Sequence, residues 1–295
     1  MIQAFRIFNF FSIAKTLSLA NERFSINLIL IIKSNNTVKT LKQIIFLSLC
    51  LFLIAKQSVA QSSSKFSYNK FGNEKGDTLS YRMLFPDSDT LRRYPLVIFL
   101  HGSGERGSDN EAQLKWGVQN FATDRNMIMY PAIVIAPQCP LQTSWSNFTR
   151  GKTSTDIKLQ ANPTKPMELL IGLIHQLTKN MRIDTNRIYI TGLSMGGYGT
   201  FDAIERYPNL FAAAVPVCGG GDISKAAAIA HIPIWLFHGA EDPAVNPNYS
   251  LDMAKALNEA GAHPGLTVYP EVGHFSWLGA YSDPLMLEWL FRQHK

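Results

Sequence analysis

Acidic charge is scarce at the start of this 295-residue chain. Residues 1–60 contain one acid, Glu22, and seven of the 28 Lys and Arg, so this segment carries 7 − 1 = +6 of the formal net charge of +6. The remaining residues are neutral, 21 − 21 = 0. A nucleic-acid interface needs its positive charge on the folded body. The charge distribution therefore argues against nucleic acid as a partner.

Metal-binding spacings and internal repeats are also missing from the sequence. No Cys-x-x-Cys or His-Glu-x-x-His pattern occurs, and such patterns are typical of metal sites. We therefore predict neither a metal site nor a cofactor. The hydrophobic fraction of 46% is enough for one large core, and we predict a single domain over residues 61–295.

The longest apolar run near the start is too short to span a membrane. Residues 44–55 fall below the roughly 20 apolar residues that a spanning helix needs. Two lysines precede this run, and the small residues Ser58 and Ala60 follow it, a pattern typical of a secretory signal. We predict a signal peptide over 38–60, cleavage near Ala60 and export to the periplasm or the exterior, with contact to a membrane only during export. Residues 1–37 are unusual for a signal and suggest a start codon assigned too far upstream.

Cysteine is rare, with three residues in the chain. Cleavage near Ala60 would remove Cys50 and leave Cys139 and Cys218. Each of these two follows a predicted strand end. The sequence leaves open whether they pair in an oxidising compartment or remain two buried thiols.

Buried strands alternate with helical periodicity after residue 64. Strands are predicted at 65–71, 78–85, 95–100, 132–136, 187–191, 212–218, 233–237 and 266–269, and helices at 111–121, 166–180, 195–207, 222–230, 249–260 and 283–293. The first two strands form an antiparallel hairpin, and the others indicate a mostly parallel eight-stranded sheet with helices on both faces, an α/β fold. Only residues 219–232 separate two core strands, so we predict no large lid domain.

A glycine-flanked serine follows the strand at 187–191. Gly192, Ser194 and Gly196 match the G-x-S-x-G pattern of a nucleophile elbow, a sharp turn between a strand and a helix. Small residues two positions before and after the serine keep the bent backbone from clashing. Because such a match also occurs by chance, its strand and helix neighbours must support it.

One histidine and one acid follow later strands of the predicted sheet. Reactive groups gather at the carboxyl ends of parallel strands. His274 follows the last strand and Asp242 follows the strand before it, whereas Glu241 and Asp222 are competing acids. A serine hydroxyl needs a base that takes its proton, and a carboxylate orients that base. We predict Ser194, Asp242 and His274 as a catalytic triad in the chain order of an α/β-hydrolase.

Two backbone N–H groups are candidates for an oxyanion hole. Met195 supplies one from the elbow. The loop after the strand at 95–100 supplies the other, and Ser103 is our first choice because Gly102 and Gly104 allow close approach of the backbone.

With these residues assembled, the chain resembles secreted α/β-hydrolases of the phospholipase/carboxylesterase family, including feruloyl-esterase-like and predicted esterase/peptidase members. The matching stretches are 101–107 with Asp109 and Asn110, 136–140, 192–197, 238–243, 273–274 with Ser276 and Trp277, 281–284 and 288–290. The resemblance implies that Ser194, Asp242 and His274 form the triad. It also implies that Trp145 and Trp277 line the acyl or alcohol pocket, with packing in the core or at the rim as the alternative.

The expected function is serine carboxylic-ester hydrolysis through an acyl-enzyme. The long polar connection at 142–165 departs from the family pattern and is expected to wall the cleft. An open cleft on an exported enzyme favours acetyl or feruloyl esters, either as small molecules or attached to a polysaccharide.

A serine peptidase or a lysophospholipase on the same fold is the first alternative function, and a non-catalytic surface binding protein is an alternative of another class. The oligomeric state stays open.

Overall fold

A computed structural model describes residues 65–295 except positions 88, 90, 150 and 152. The predicted signal peptide at 38–60 and Cys50 lie outside the described residues. Within the described part of the chain, no helix combines the length and the hydropathy that crossing a bilayer requires.

One mixed sheet contains eight strands, β1 (Phe66–Gly72), β2 (Thr78–Leu84), β3 (Tyr94–Leu100), β4 (Ile133–Pro137), β7 (Ile183–Leu193), β8 (Ala213–Val217), β9 (Trp235–Gly239) and β10 (Gly265–Tyr269). Their order in the sheet is β1-β2-β4-β3-β7-β8-β9-β10. β1 and β2 pair antiparallel, β2 and β4 pair antiparallel, and the remaining neighbours are parallel. The predicted eight-stranded, mostly parallel architecture is confirmed.

Seven α-helices are present in the described residues. They are α1 (Asp124–Met129), α2 (Lys165–Asn180), α3 (Met195–Arg206), α4 (Ala226–Ile229), α5 (Asn248–Glu259), α6 (Trp277–Ser282) and α7 (Pro284–Arg292). The helix predicted at 166–180 is confirmed, and Thr164 caps it by accepting a hydrogen bond from the Met167 N–H. The helix predicted at 283–293 is α7, preceded by the unpredicted α6.

Three other segments differ from the sequence prediction. The helix predicted at 111–121 is two 3-10 helices, Ala112–Leu114 and Val118–Ala122, because Gly117 between them has a φ of 73°, which an α-helix does not allow. The segment at 222–230 is a 3-10 turn, Ile223–Lys225, followed by the short α4. The connection at 142–165 contains an unpredicted two-stranded hairpin, β5 (Phe148–Thr149) with β6 (Lys158–Leu159).

The core lies on both faces of the sheet. All seven residues of β3 are buried, and its alternate side chains separate into two clusters. Leu96, Ile98 and Leu100 belong to the cluster that includes the inner face of α2, whereas Val97 and Phe99 belong to the cluster that includes α6 and α7. This two-sided burial explains why β3 reads as a continuous apolar run in the sequence.

Candidate active site

Ser194 lies in the sharp turn between β7 and α3. Its φ of 54° and ψ of −114° are unusual for a residue with a side chain. A Cβ atom at Gly196 would overlap the carbonyl oxygen of Leu100, and one at Gly192 would overlap the Gly196 carbonyl. Glycine is therefore required on both sides of the serine, and the predicted elbow is the geometry that the chain adopts.

A continuous hydrogen-bond chain joins three loops at the carboxyl edge of the sheet. Nε2 of His274 lies 2.9 Å from Oγ of Ser194, and Nδ1 lies 2.7 Å from Oδ2 of Asp242. With its proton on Nδ1, the imidazole donates to the carboxylate and accepts from the serine hydroxyl. The Asp242 side chain is fully buried, whereas the His274 side chain is 21% exposed. The imidazole therefore sits between a buried charge and the solvent side of the elbow.

The competing acids make other contacts. Asp222 lies 3.1 Å from Nζ of Lys158 and accepts a hydrogen bond from the Ser224 hydroxyl at 2.6 Å. Glu241 is exposed on the surface. Of the three acids considered from the sequence, Asp242 is the one in contact with His274.

A second histidine, which sequence reasoning passed over, also faces Asp242. His238 in β9 is fully buried, and its Nε2 lies 3.4 Å from Oδ2 of Asp242 and 3.0 Å from the Val245 carbonyl oxygen. Because a carbonyl only accepts, Nε2 carries the proton and Nδ1 accepts from the Ser250 hydroxyl at 2.7 Å. Burial lowers the pKa of His238, so the ring stays neutral.

Backbone donors hold the other oxygen of the same carboxylate. Oδ1 of Asp242 accepts hydrogen bonds from the N–H groups of Ala244 and Val245, each at 2.9 Å. The backbone of the loop after β9 therefore binds the Asp242 carboxylate and fixes its orientation toward His274. The spacing of four residues between His238 and Asp242 was the available sequence signal for this arrangement.

Each of the two predicted oxyanion residues begins a helix. Met195 is the first residue of α3, and Ser103 is the first residue of the 3-10 helix Ser103–Glu105. The first N–H groups of a helix have no partner within it and are free to meet an anion. Both residues line the cleft at Ser194.

Arg106 holds the loop that carries Ser103. Its Nε donates to the Ser103 carbonyl at 3.0 Å, and its Nη1 donates to the Thr143 carbonyl at 3.2 Å. Behind this loop, Nε2 of His101 accepts from the Cys139 N–H at 2.9 Å. The Ser103 loop is thereby fixed to the segment after β4.

The cleft above Ser194 has a volume of about 750 Å³. The connection at 142–165 contributes Ser144, Ser146 and Phe148 to it, and therefore forms one of its walls. The lining residues are Ser103, Arg106, Ser144, Ser146, Phe148, Ser194, Met195, Tyr198, Ala244, Val245 and His274.

Neither predicted pocket tryptophan lines this cleft. Trp145 has no exposed surface, and its Nε1 donates to the His101 carbonyl at 3.2 Å, so it packs in the core. Trp277 is 5% exposed, and its ring meets the His274 ring edge-on with centroids 5.1 Å apart. Both tryptophans lie behind residues of the site, which corrects their expected role as pocket walls.

The two remaining cysteines do not pair. Cys139 and Cys218 are both buried free thiols, and burial raises the pKa of each to about 12. Potential ligand atoms of Cys218, Asp242 and His274 lie within 4.8 Å of one another. Two of these three groups, His274 and Asp242, are already paired with each other at 2.7 Å.

The family of the chain follows from its match over most of the folded part. Residues 87–281 match the phospholipase/carboxylesterase family, and the chain belongs to it. A solved thermostable esterase is 42% identical with a TM-score of 0.74, over 80% of this chain and 64% of that protein. A solved ferulic acid esterase shares the fold at 17% identity, with a TM-score of 0.60 over 77% of this chain and 98% of that protein.

One curated relative is a bifunctional acetylxylan esterase/xylanase of Neocallimastix patriciarum. It is 26% identical over 179 residues, which are 60% of this chain and 23% of that protein. The chain therefore spans about a quarter of that relative's length.

Proposed function

We propose that this protein is a serine carboxylic-ester hydrolase that works through an acyl-enzyme. The observation that carries the proposal is the hydrogen-bond chain from Ser194 through His274 to Asp242, with distances of 2.9 and 2.7 Å, at the floor of an open cleft. Membership of the phospholipase/carboxylesterase family supports the same reaction class.

In this mechanism Oγ of Ser194 attacks the ester carbonyl carbon while Nε2 of His274 takes the hydroxyl proton. The negative charge that develops on the carbonyl oxygen is held by the N–H groups of Met195 and Ser103. His274 then gives its proton to the leaving alcohol as the carbon–oxygen bond breaks. Water repeats the sequence on the acyl-enzyme and releases the acid. Throughout, the buried Asp242 carboxylate stabilises the imidazolium.

The proposed substrates are acetyl or feruloyl esters, small or carried by a polysaccharide. The cleft is open, and the segment between β8 and β9 adds only a 3-10 turn and the short α4. The acetylxylan esterase/xylanase relative supports an acetylated polysaccharide as the substrate. The signal-like pattern at 38–60 supports export toward such a polymer. A peptidase, a lysophospholipase and a binding protein without catalysis are the alternatives.

A covalent serine probe tests the central proposal. We expect a fluorophosphonate to label the wild-type protein at Ser194 and to leave Ser194→Ala unlabelled. Ser108→Ala is the matched control, because Ser108 is exposed and does not line the cleft. Absence of labelling in folded wild-type protein would favour the binding protein instead.

A substrate panel tests the ester class. Acetyl, feruloyl and long-chain acyl esters are compared by kcat/KM, with Ser194→Ala as the background control. We expect the acetyl and feruloyl esters to be cleaved faster than the long-chain esters. A clear preference for long acyl chains would contradict the proposed substrates and favour the lysophospholipase alternative.

A further inference from the structure

The two sides of the cleft differ in chemistry. The loop after β3 and the segment after β4 contribute Ser103, Arg106, Ser144 and Ser146, which are all polar. Tyr198 of α3 and Val245, in the loop after β9, pack together in one apolar cluster, and Phe148 of the 142–165 connection packs against them. Because β3 and β9 lie on opposite sides of β7 in the sheet, the loop of Ser103 and Arg106 and the loop of Val245 flank Ser194.

Arg106 brings an unneutralised positive charge to the polar wall. A guanidinium has five N–H donors, of which two are used on the carbonyls of Ser103 and Thr143, so 5 − 2 = 3 remain. Among the described residues, no carboxylate lies within ion-pair distance of Arg106. It is also the one residue with a permanent charge among those described as lining the cleft.

Ser146 adds an unused hydroxyl to the same wall. The residue is 7% exposed, and its Oγ has no hydrogen-bond partner among the described residues. A buried hydroxyl without a partner costs free energy that a hydrogen bond to a ligand acceptor would recover. Arg106 reaches this segment through the Thr143 carbonyl, three residues before Ser146, and both residues line the cleft.

We propose that Arg106 and Ser146 form a subsite for a carboxylate on the substrate, close to the ester that Ser194 attacks. The proposal rests on the proposed esterase function and names its substrate class: esters that also carry a carboxylate, as an acylated uronic acid unit does. A carboxylate accepts hydrogen bonds from both the guanidinium and the hydroxyl, and it neutralises the charge of Arg106. A phosphate offers the same chemistry, and the experiment separates the two.

Matched acetyl esters test the subsite. The probes are 4-acetoxybenzoate and 3-acetoxybenzoate, their neutral carboxamides, and 4-acetoxyphenyl phosphate. We expect the wild-type kcat/KM to be roughly tenfold or more higher for a carboxylate than for its carboxamide, since a hydrogen bond to a charged group is worth about that factor. The preference should weaken as salt concentration rises.

Variants assign the preference to the two residues. Arg106→Gln should bring the ratio of carboxylate to carboxamide close to one, Arg106→Lys should keep part of it, and Ser146→Ala should lower it several-fold. The ratio is the measured quantity because Arg106 also holds the Ser103 loop, so absolute rates on every ester should fall. Lys115→Gln is the matched control, since it removes a nearby exposed positive charge that does not line the cleft.

Binding to the Ser194→Ala variant tests the subsite without turnover. Calorimetric titration should show tighter binding of 4-acetoxybenzoate than of its carboxamide, and Arg106→Gln in the same background should abolish the difference. Equal binding and equal kcat/KM of the two esters would overturn the subsite while leaving the esterase intact. A preference for the phosphate ester over both would overturn the carboxylate assignment. Failure to hydrolyse any ester would refute the proposed function, and the titration would still decide on the subsite.

Discussion

Two histidines contact the same carboxylate of Asp242, yet their surroundings give them different tasks. His274 lies 2.7 Å from Oδ2, is 21% exposed and reaches Ser194 with its other nitrogen. His238 lies 3.4 Å from Oδ2, is fully buried and has its other nitrogen engaged by Ser250. Contact with an acid is therefore not sufficient for a histidine to act as the general base. A base needs a free nitrogen directed at the group it deprotonates.

The comparison also assigns a catalytic role to His274 and a structural role to His238. Because His238 is neutral and its Nε2–H donates to the Val245 carbonyl, it holds the loop of Asp242 and lies 3.4 Å from the carboxylate without adding a competing positive charge. His274 is the one of the two that can take a proton from Ser194 and return it. Variants at these positions should therefore differ in whether they lose activity or stability.

Removal of His274 should have the largest effect on activity. We expect His274→Ala to lower kcat by about 10⁴-fold or more, as Ser194→Ala should, because the serine loses its base. The double variant should be little worse than either single variant, since the groups act as a unit. Strictly additive losses in steady-state kinetics would contradict a shared triad.

Asp242→Asn should have the next largest effect. An amide group donates toward Nδ1 and favours the wrong imidazole tautomer, so we expect kcat to fall by about 10³–10⁴-fold. Glu241→Gln is the matched control, because Glu241 is its exposed sequence neighbour, and its kcat should stay close to the wild-type value. A similar loss in both variants would point to a disturbed loop and not to the carboxylate contact.

His238→Gln should affect stability more than activity. The variant leaves the Ser250 hydroxyl and Asp242 with poorer partners in a buried site, so we expect the free energy of unfolding to fall by about 1–3 kcal/mol. The value of kcat should fall by less than about tenfold. Urea denaturation and steady-state kinetics on the same preparation check both parts, and a loss of activity as large as that of His274→Ala would erase the distinction between the two histidines.

Acid should weaken the fold through buried histidines with lowered pKa values. Burial lowers the pKa of His238, and it lowers the pKa of His101 to about 4 from an ordinary 6.5. The unfolded chain binds protons at these groups below about pH 6.5 while the folded protein does not, so stability is full above that pH and declines as the pH falls toward about 4. The slope is at most about 1.4 kcal/mol per pH unit for each histidine.

Denaturation at several pH values checks this decline. The acid loss between pH 6.5 and 4 should be smaller in His238→Gln than in the wild-type protein, because one titrating group has been removed. A stability that rises as the pH falls through this range would contradict the lowered pKa values.

The local parts of the site were readable from the amino-acid sequence. The apolar run of β7, the glycines at 192 and 196 and the following helix determine the Ser194 turn, because each acts on its immediate neighbours. The same local signals placed all eight strands of the main sheet, and parallel strand order then brought the loops of Asp242 and His274 to one edge. The targeting role of residues 1–60 stays a prediction from the sequence.

Contacts between distant segments were decided by tertiary packing. The Ser194–His274 contact joins residues 80 positions apart. The order of the parallel strands predicted this contact, because the carboxyl ends of parallel strands lie at one edge of the sheet. No pattern indicated that Trp145 packs behind His101 or that Gly117 interrupts a helix, and the four-residue spacing of His238 and Asp242 did not by itself show that the two side chains meet. These outcomes depend on which side chains fill the space between elements, and the polar wall of Arg106 and Ser146 likewise exists only once the loops after β3 and β4 pack together.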